Sequence, residues 1–148
     1  MAISKIRCIK DTDKSYHGKH LKASIEYITV PEKTQNGRWA SAINCQLDYA
    51  FEQMRQTKNQ FGKNNKRQGY HIILSFKDGE TDADTVFEIT KRFAEEYLGN
   101  DYEVVYAVHD NTDHLHSHVV FNSVSFRTGK KYRYEKGDWA KYIQPITN

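Results

Sequence analysis

The stretch EVVYAVHDNTDHLHSHVVFNSVSF, residues 103–126, decides how this chain folds. Its two apolar runs, 103–108 and 116–126, are rich in Val, Tyr and Phe, the residues that fit a pleated surface. The six residues DNTDHL at 110–115, after His109, are turn material, because Asn, Asp and Thr close tight loops through their own side chains. Two short apolar runs joined by so short a polar turn predict neighbouring antiparallel strands in the interior of a sheet.

Outward from this pair, YHIILSF at 70–76 reads as a strand. ISKIRCI at 3–9 alternates apolar and polar, as a half-buried strand does. A helix is expected over 19–29, where Leu21, Ser24, Ile25 and Ile28 share a stripe and Pro31 ends the element. A second helix is expected at about 45–60 from the spacing of Leu47, Ala50, Phe51 and Met54. A third follows Asp82 or Asp84 as cap, carries Val86, Phe87, Ile89, Phe93, Ala94 and Tyr97, and stops at Gly99. QNGRWA at 35–40 and FGKNNKRQG at 61–69 read as loops. RTGKK reads as a hairpin turn into a strand at 131–135, and GDWAKYIQPITN starts a helical pattern that ends without a cap. The order β-α-α-β-α-β-β-β predicts an α/β fold, a largely antiparallel central sheet with helices packed on one face.

The remaining bulk properties bound the function. A length of 148 residues with 38% hydrophobic content suits one domain and a single core. Charged residues make up 28%, and no apolar run approaches the ~20 residues of a membrane span. MAISKIRCIK lacks the apolar stretch of a secretory signal. Cys8 and Cys45 are the only cysteines, too few for a cysteine zinc cluster, so a cytoplasmic protein with no membrane partner is expected. The net charge is only +3, but Lys and Arg gather in the first 22 residues, at 55–67 and at 127–136, while acids gather at 78–103. That asymmetry suits a polyanion-binding face on a near-neutral body.

Chemistry concentrates in the turn. His109, His114, His116 and His118 lie within ten residues. His116 and His118 are two apart in a strand, so both rings leave the same face, and the short turn brings His109 back beside them. Three imidazoles converging on one divalent ion, with positions left open, describe a catalytic rather than a structural site. Imidazole accepts several metals, so the ligands do not name the ion. Asp113 lies in the turn, where it could brace a ligand ring or act as a general base. His114 is out of phase with the His116/His118 face and is left outside the ligand set.

HDNTDHLHSHVVFN at 109–122 resembles motif III of relaxases, the HUH endonucleases that nick the transfer origin of mobile DNA, and most resembles their P-type class. The matching positions are His109, Thr112-Asp113, His116, His118 and Asn122. SIEYITVPEKT at 24–34 resembles motif I, which places the nucleophile at Tyr27. YHIILSFKDGE at 70–80 resembles motif II, whose serine contacts DNA near the nick, here Ser75. Ser117 departs from the hydrophobic residue at the middle of the His-x-His motif, but it points away from the metal face. Relaxases are longer than this chain, so the resemblance implies a nuclease domain, 1–148, cut at its C-terminal end.

The resemblance implies strand-specific nicking at an origin of transfer, through a 5′-phosphotyrosine intermediate, for conjugative mobilisation. It implies one divalent ion, Mn or Mg in use with Zn, Co or Ni able to fit. It also implies a single-stranded origin partner, with or without an adjacent hairpin, and accessory relaxosome proteins. Tyr27 fits physically, since it lies about 100° off the apolar stripe of its helix at ~100° per residue. Tyr16 is the alternative nucleophile, with His17 and His20 behind it. Lys66 and Arg67 are candidate phosphate contacts, and Trp39 a candidate stacking platform for a base. Three other readings stay open: a rolling-circle replication initiator with the same chemistry, a metal-stabilised DNA-binding module without catalysis, and a metallohydrolase using activated water.

Overall fold

The computed structural model describes residues 3–11, 18–76, 81–110 and 114–134. Five strands form one sheet: β1 (Ile3–Lys10), β2 (Ala40–Ile43), β3 (Arg67–Ser75), β4 (Val104–His109) and β5 (His116–Asn122). Their order across the sheet is β1-β3-β5-β4-β2, and every pairing is antiparallel. The expected pair β4/β5 lies in the interior, in the register His109↔His116 and Ala107↔His118. The described residues also form three α-helices: α1 (Lys19–Ile28), α2 (Ala50–Gln60) and α3 (Ala83–Leu98).

The helices cover both faces of the sheet, not one. Val86, Phe93, Ala94 and Leu98 of α3 pack against Ile72, Leu74, Val119, Phe121, Val104 and Tyr106. Leu21, Ile25 and Ile28 of α1, with Ala50, Phe51 and Met54 of α2, pack against Val105, Ala107 and Val120 on the opposite face. All six residues of β4 are consequently buried. An unbroken apolar strand such as VVYAV is what a sheet covered on both faces requires; a strand with one wet face would alternate.

Four local expectations are also corrected. β2 was not anticipated, because ASAI is short, small and weakly apolar, and it gains its place by edge pairing with β4. α2 begins at Ala50 after a single 3-10 turn at Leu47–Tyr49, so the helix is shorter than 45–60. β5 ends at Asn122, not at 126. No strand forms over the described part of 131–135, where Lys131 makes only an isolated bridge to Val124. There the chain is held by a ring instead: Tyr132 is buried against Tyr70 and Phe121. The helical pattern expected after residue 136 lies outside the described residues.

α3 follows its caps. Asp82 accepts a hydrogen bond from the Thr85 amide at 2.9 Å, and Gly99 stands where a Cβ would meet the Glu95 carbonyl oxygen at 2.5 Å. Ser117 faces this helix, where its hydroxyl meets that of Thr90 at 2.7 Å. The residue between His116 and His118 therefore ties the strand to α3, while the two rings face α1.

Candidate metal centre and nucleophile

Strand register builds the site. Directly opposed residues of antiparallel strands point to the same face. Ser75, His116 and His109 form one such row across β3, β5 and β4, and Ile73, His118 and Ala107 the next. His109, His116 and His118 each present one ring nitrogen, and the three nitrogens lie within 4.8 Å of one another. Three nitrogens held at about 2.1 Å around one ion in tetrahedral geometry stand roughly 3.4 Å apart, so the rings must close in by up to about 1.4 Å to hold an ion.

Each ring is anchored through its other nitrogen. His109 Nε2 donates to the Ile28 carbonyl at 2.9 Å, and His116 Nδ1 donates to the His114 carbonyl at 3.1 Å. Carbonyls only accept, so the proton positions on these two rings follow, leaving His109 Nδ1 and His116 Nε2 as lone pairs. His118 Nδ1 lies 2.7 Å from His71 Nε2, and His118 Nε2 is buried with no hydrogen-bond partner among the described residues. A buried polar atom is normally satisfied, and a cation among these three nitrogens would satisfy this one. Burial and the neighbouring imidazoles push His118 down to about 2. Burial also holds His109 below its ordinary value. For His109 and His118 burial thus favours the neutral form, the one that ligates a metal.

The Ile28–His109 bond also locates α1. The last carbonyls of a helix lack partners within it, and here the His109 ring takes one of them. The negative end of the α1 dipole thus lies against the cluster, a favourable setting for a cation. Tyr27 is drawn in beside it. Its ring stands edge-on to His109 and His118, at centroid separations of 5.8 and 6.0 Å, yet remains 48% exposed. The Lys33 ammonium sits 4.2 Å from the centre of the Tyr27 ring.

The other expected residues fall into two groups. Ser75 stands directly opposite His116, beside the cluster. Arg67 begins β3, eight residues from Ser75 or about 26 Å at the strand rise, and Lys66 immediately precedes it. Lys66 is exposed, and Arg67 is bonded to the Tyr70 hydroxyl at 2.8 Å. Trp39 does not fit a stacking role: it is 6% exposed, packs on Phe87 and gives its indole N–H to Asp110 at 3.2 Å. Asn122 is buried away from the cluster under α2, accepting from Lys58 Nζ at 2.6 Å and donating to Glu103 at 2.9 Å. Asp113, Tyr16 and His17 lie outside the described residues. His20 is two helical turns, about 10 Å, from Tyr27 along α1.

Two residues of the site were missed by sequence reasoning. His71 shares a strand face with Ser75, which could have flagged it, but its contact with His118 is a diagonal one that only strand register reveals. Lys33 follows the apparent end of α1, and nothing in the sequence places it over Tyr27.

A family model described as the MobA/VirD2-like relaxase nuclease domain matches residues 27–148. The chain belongs to the MobA/VirD2-like relaxases. Among its relatives, Protein rlx of Staphylococcus aureus is 40% identical over 125 residues, covering 84% of this chain. The group II intron-interrupted relaxase LtrB of Lactococcus lactis is 28% identical over 146 residues. This relaxase chain spans 37% of the length of the S. aureus relative. In fold it is similar to a solved structure described as "Molecular Basis of Vancomycin Resistance Transfer in Staphylococcus aureus", with a TM-score of 0.63 at 14% identity, covering all of this chain and 91% of that one. The relaxase match begins at Tyr27, the residue that the fold sets against the histidine cluster. Among the described residues no helix is long and apolar enough to cross a membrane.

Proposed function

We propose that this domain nicks one strand of DNA at an origin of transfer by transesterification, with Tyr27 as nucleophile and His109, His116 and His118 as ligands of one divalent ion. The observation that carries the reading is the edge-on contact of an exposed tyrosine with two of three converging imidazoles, one of which has a buried nitrogen that no described residue partners. A divalent ion bound there supplies Lewis-acid stabilisation of charge on the scissile phosphate. Mn or Mg is the ion expected in use, and Zn, Co or Ni would also fit the imidazole set.

The chain's own groups do the rest. The Tyr27 oxygen attacks phosphorus, the bond to the 3′ oxygen breaks, and a 5′-phosphotyrosine and a free 3′-hydroxyl remain. One phosphoester replaces another, so the step reverses without an external energy source. Lys33 holds a positive charge over the ring whose oxygen carries negative charge as it attacks. Ser75, opposite His116, is set to contact the strand near the nick. On sequence grounds alone, Asp113 between the ligand residues takes the phenolic proton. Lys66 and Arg67 can neutralise phosphates only of DNA that continues to the far end of β3. The partner is single-stranded origin DNA, with accessory relaxosome proteins, and the setting is the cytoplasm.

Tyr27→Phe tests the reading. With Mn²⁺ and an origin oligonucleotide, the parent protein should form a covalent adduct that survives denaturing electrophoresis, and the variant should form none. Cleavage that persists in the variant without an adduct would instead identify a water-using metallohydrolase.

A further inference from the structure

We propose that His71 is a positioning residue of the metal centre: it accepts the Nδ1 hydrogen of His118 and so aims the His118 Nε2 lone pair into the cluster. The inference rests on the reading of His109, His116 and His118 as the ligand set. It goes further by giving a role to a residue on a different strand, outside the His-x-His segment.

The three rings differ in the partners of their second nitrogens. His109 and His116 donate to backbone carbonyls, so their tautomers are fixed by partners that can only accept. His118 alone meets a group that can either donate or accept, the His71 imidazole at 2.7 Å. The two tautomeric arrangements are not equivalent. If His71 donated, His118 would carry its hydrogen on Nε2, pointing a buried N–H at a position where no described residue offers an acceptor. That leaves a donor desolvated and unpaired, which costs about 1–3 kcal/mol. If His71 accepts, Nε2 presents a lone pair, which an ion shared with His109 and His116 satisfies.

Strand register makes the pairing a built feature. His71 is opposite Val120 and His118 is opposite Ile73, so the two histidines are diagonal neighbours on one face of β3 and β5. Diagonal Cα atoms lie roughly 7–8 Å apart, a span that two imidazoles bridge with one hydrogen bond. His71 is not itself a member of the ligand group, because its Nε2 is committed to the back of the His118 ring. Ligating histidines generally give their second nitrogen to such an outer partner, often a carboxylate. Here the partner is a half-buried imidazole beside Arg7. A neutral partner orients the ring without bringing a negative charge to the ion.

Three variants test this: His71→Gln, whose side-chain carbonyl can reach the position of the imidazole Nε2; His71→Asn, which stops short of it; and His71→Leu, which removes the acceptor. Co²⁺ binding is read by titration calorimetry and by the visible spectrum of the bound ion. Asn and Leu should lose about 10- to 100-fold in Co²⁺ affinity and change the spectrum, while Gln stays close to the parent. Nicking lost in the Asn variant should return as Mn²⁺ is raised. If Leu and Asn bind Co²⁺ with the affinity and spectrum of the parent, His71 does not position His118 and the inference is overturned. If the parent binds no Co²⁺, or binds it equally well as His118→Ala, the ligand set itself fails, and this inference falls with it. Should Leu prove unfolded by its melting curve, the contrast between Gln and Asn decides.

Discussion

Replacing Lys33 by Met should slow nicking while leaving metal binding intact. Met preserves most of the side-chain length and removes the charge. The ammonium lies 4.2 Å from the centre of the Tyr27 ring, which places it about 5 Å from the phenolic oxygen, and Coulomb's law then gives roughly 0.8 kcal/mol at the dielectric constant of water and about 3 kcal/mol at an effective value of 20. Tyr27 is 48% exposed, so the lower half of that interval applies. A loss of about 1–2 kcal/mol from the transition state corresponds to a 5- to 30-fold slower step. The assay is single-turnover formation of the covalent adduct at saturating Mn²⁺ and saturating oligonucleotide, which separates the chemical step from DNA affinity. Lys33→Arg, which keeps the charge, should recover most of the rate, and added salt should narrow the gap between parent and Met variant. Parent-like single-turnover rates in Lys33→Met would refute the electrostatic role, and a rate loss that raising Mn²⁺ abolished would move Lys33 from the nucleophile to the ion site.

Three further outcomes follow from other parts of the structure. His116→Ala should abolish nicking and chelation of the parent should do the same, with circular dichroism unchanged in both, since the ring is half-buried at the end of a strand. Phe93 is wholly buried between α3 and the sheet, so Phe93→Ala should cost about 3–5 kcal/mol and lower the melting temperature by roughly 10 °C. Burial pushes the Lys58 ammonium down to about 7 from 10.5, so between pH 7 and 10.5 the unfolded chain holds a proton that the folded one has released. Stability to urea should therefore rise with pH across that window, and Lys58→Met should flatten the slope; an equal slope in both proteins would contradict it.

Much of the site was legible along the chain because its parts are local. His109, His116 and His118 sit within one strand-turn-strand unit, and period-2 geometry alone places two of them on one face. Asp82 and Gly99 mark the ends of α3 through short-range hydrogen bonding and steric crowding that involve only a few neighbouring residues. Tyr27 was separable from the α1 stripe by helical angle. Whether that exposed ring faced solvent alone or a metal centre was not a local matter. It depended on a bond from His109 to Ile28, 81 residues away in sequence.

The tertiary structure decided whatever depends on strand order and on the packing of helices across the sheet. Inserting β3 between β1 and β5 put His71 diagonal to His118 and left Lys66 and Arg67 at the opposite end of the sheet. Trp39 reads as an aromatic in a polar loop, but the backbone bond from Val108 to its carbonyl draws that loop onto the sheet and buries the ring. Helices on both faces could have been inferred from the unbroken VVYAV run, since burial on both sides removes the alternation that a single wet face imposes. The sequence by itself thus determined the residue types and the short-range geometry of the histidine cluster. The tertiary fold chose the second partners of the His109 and His118 rings and brought both rings beside Tyr27, because each of those is a contact between segments far apart in the chain.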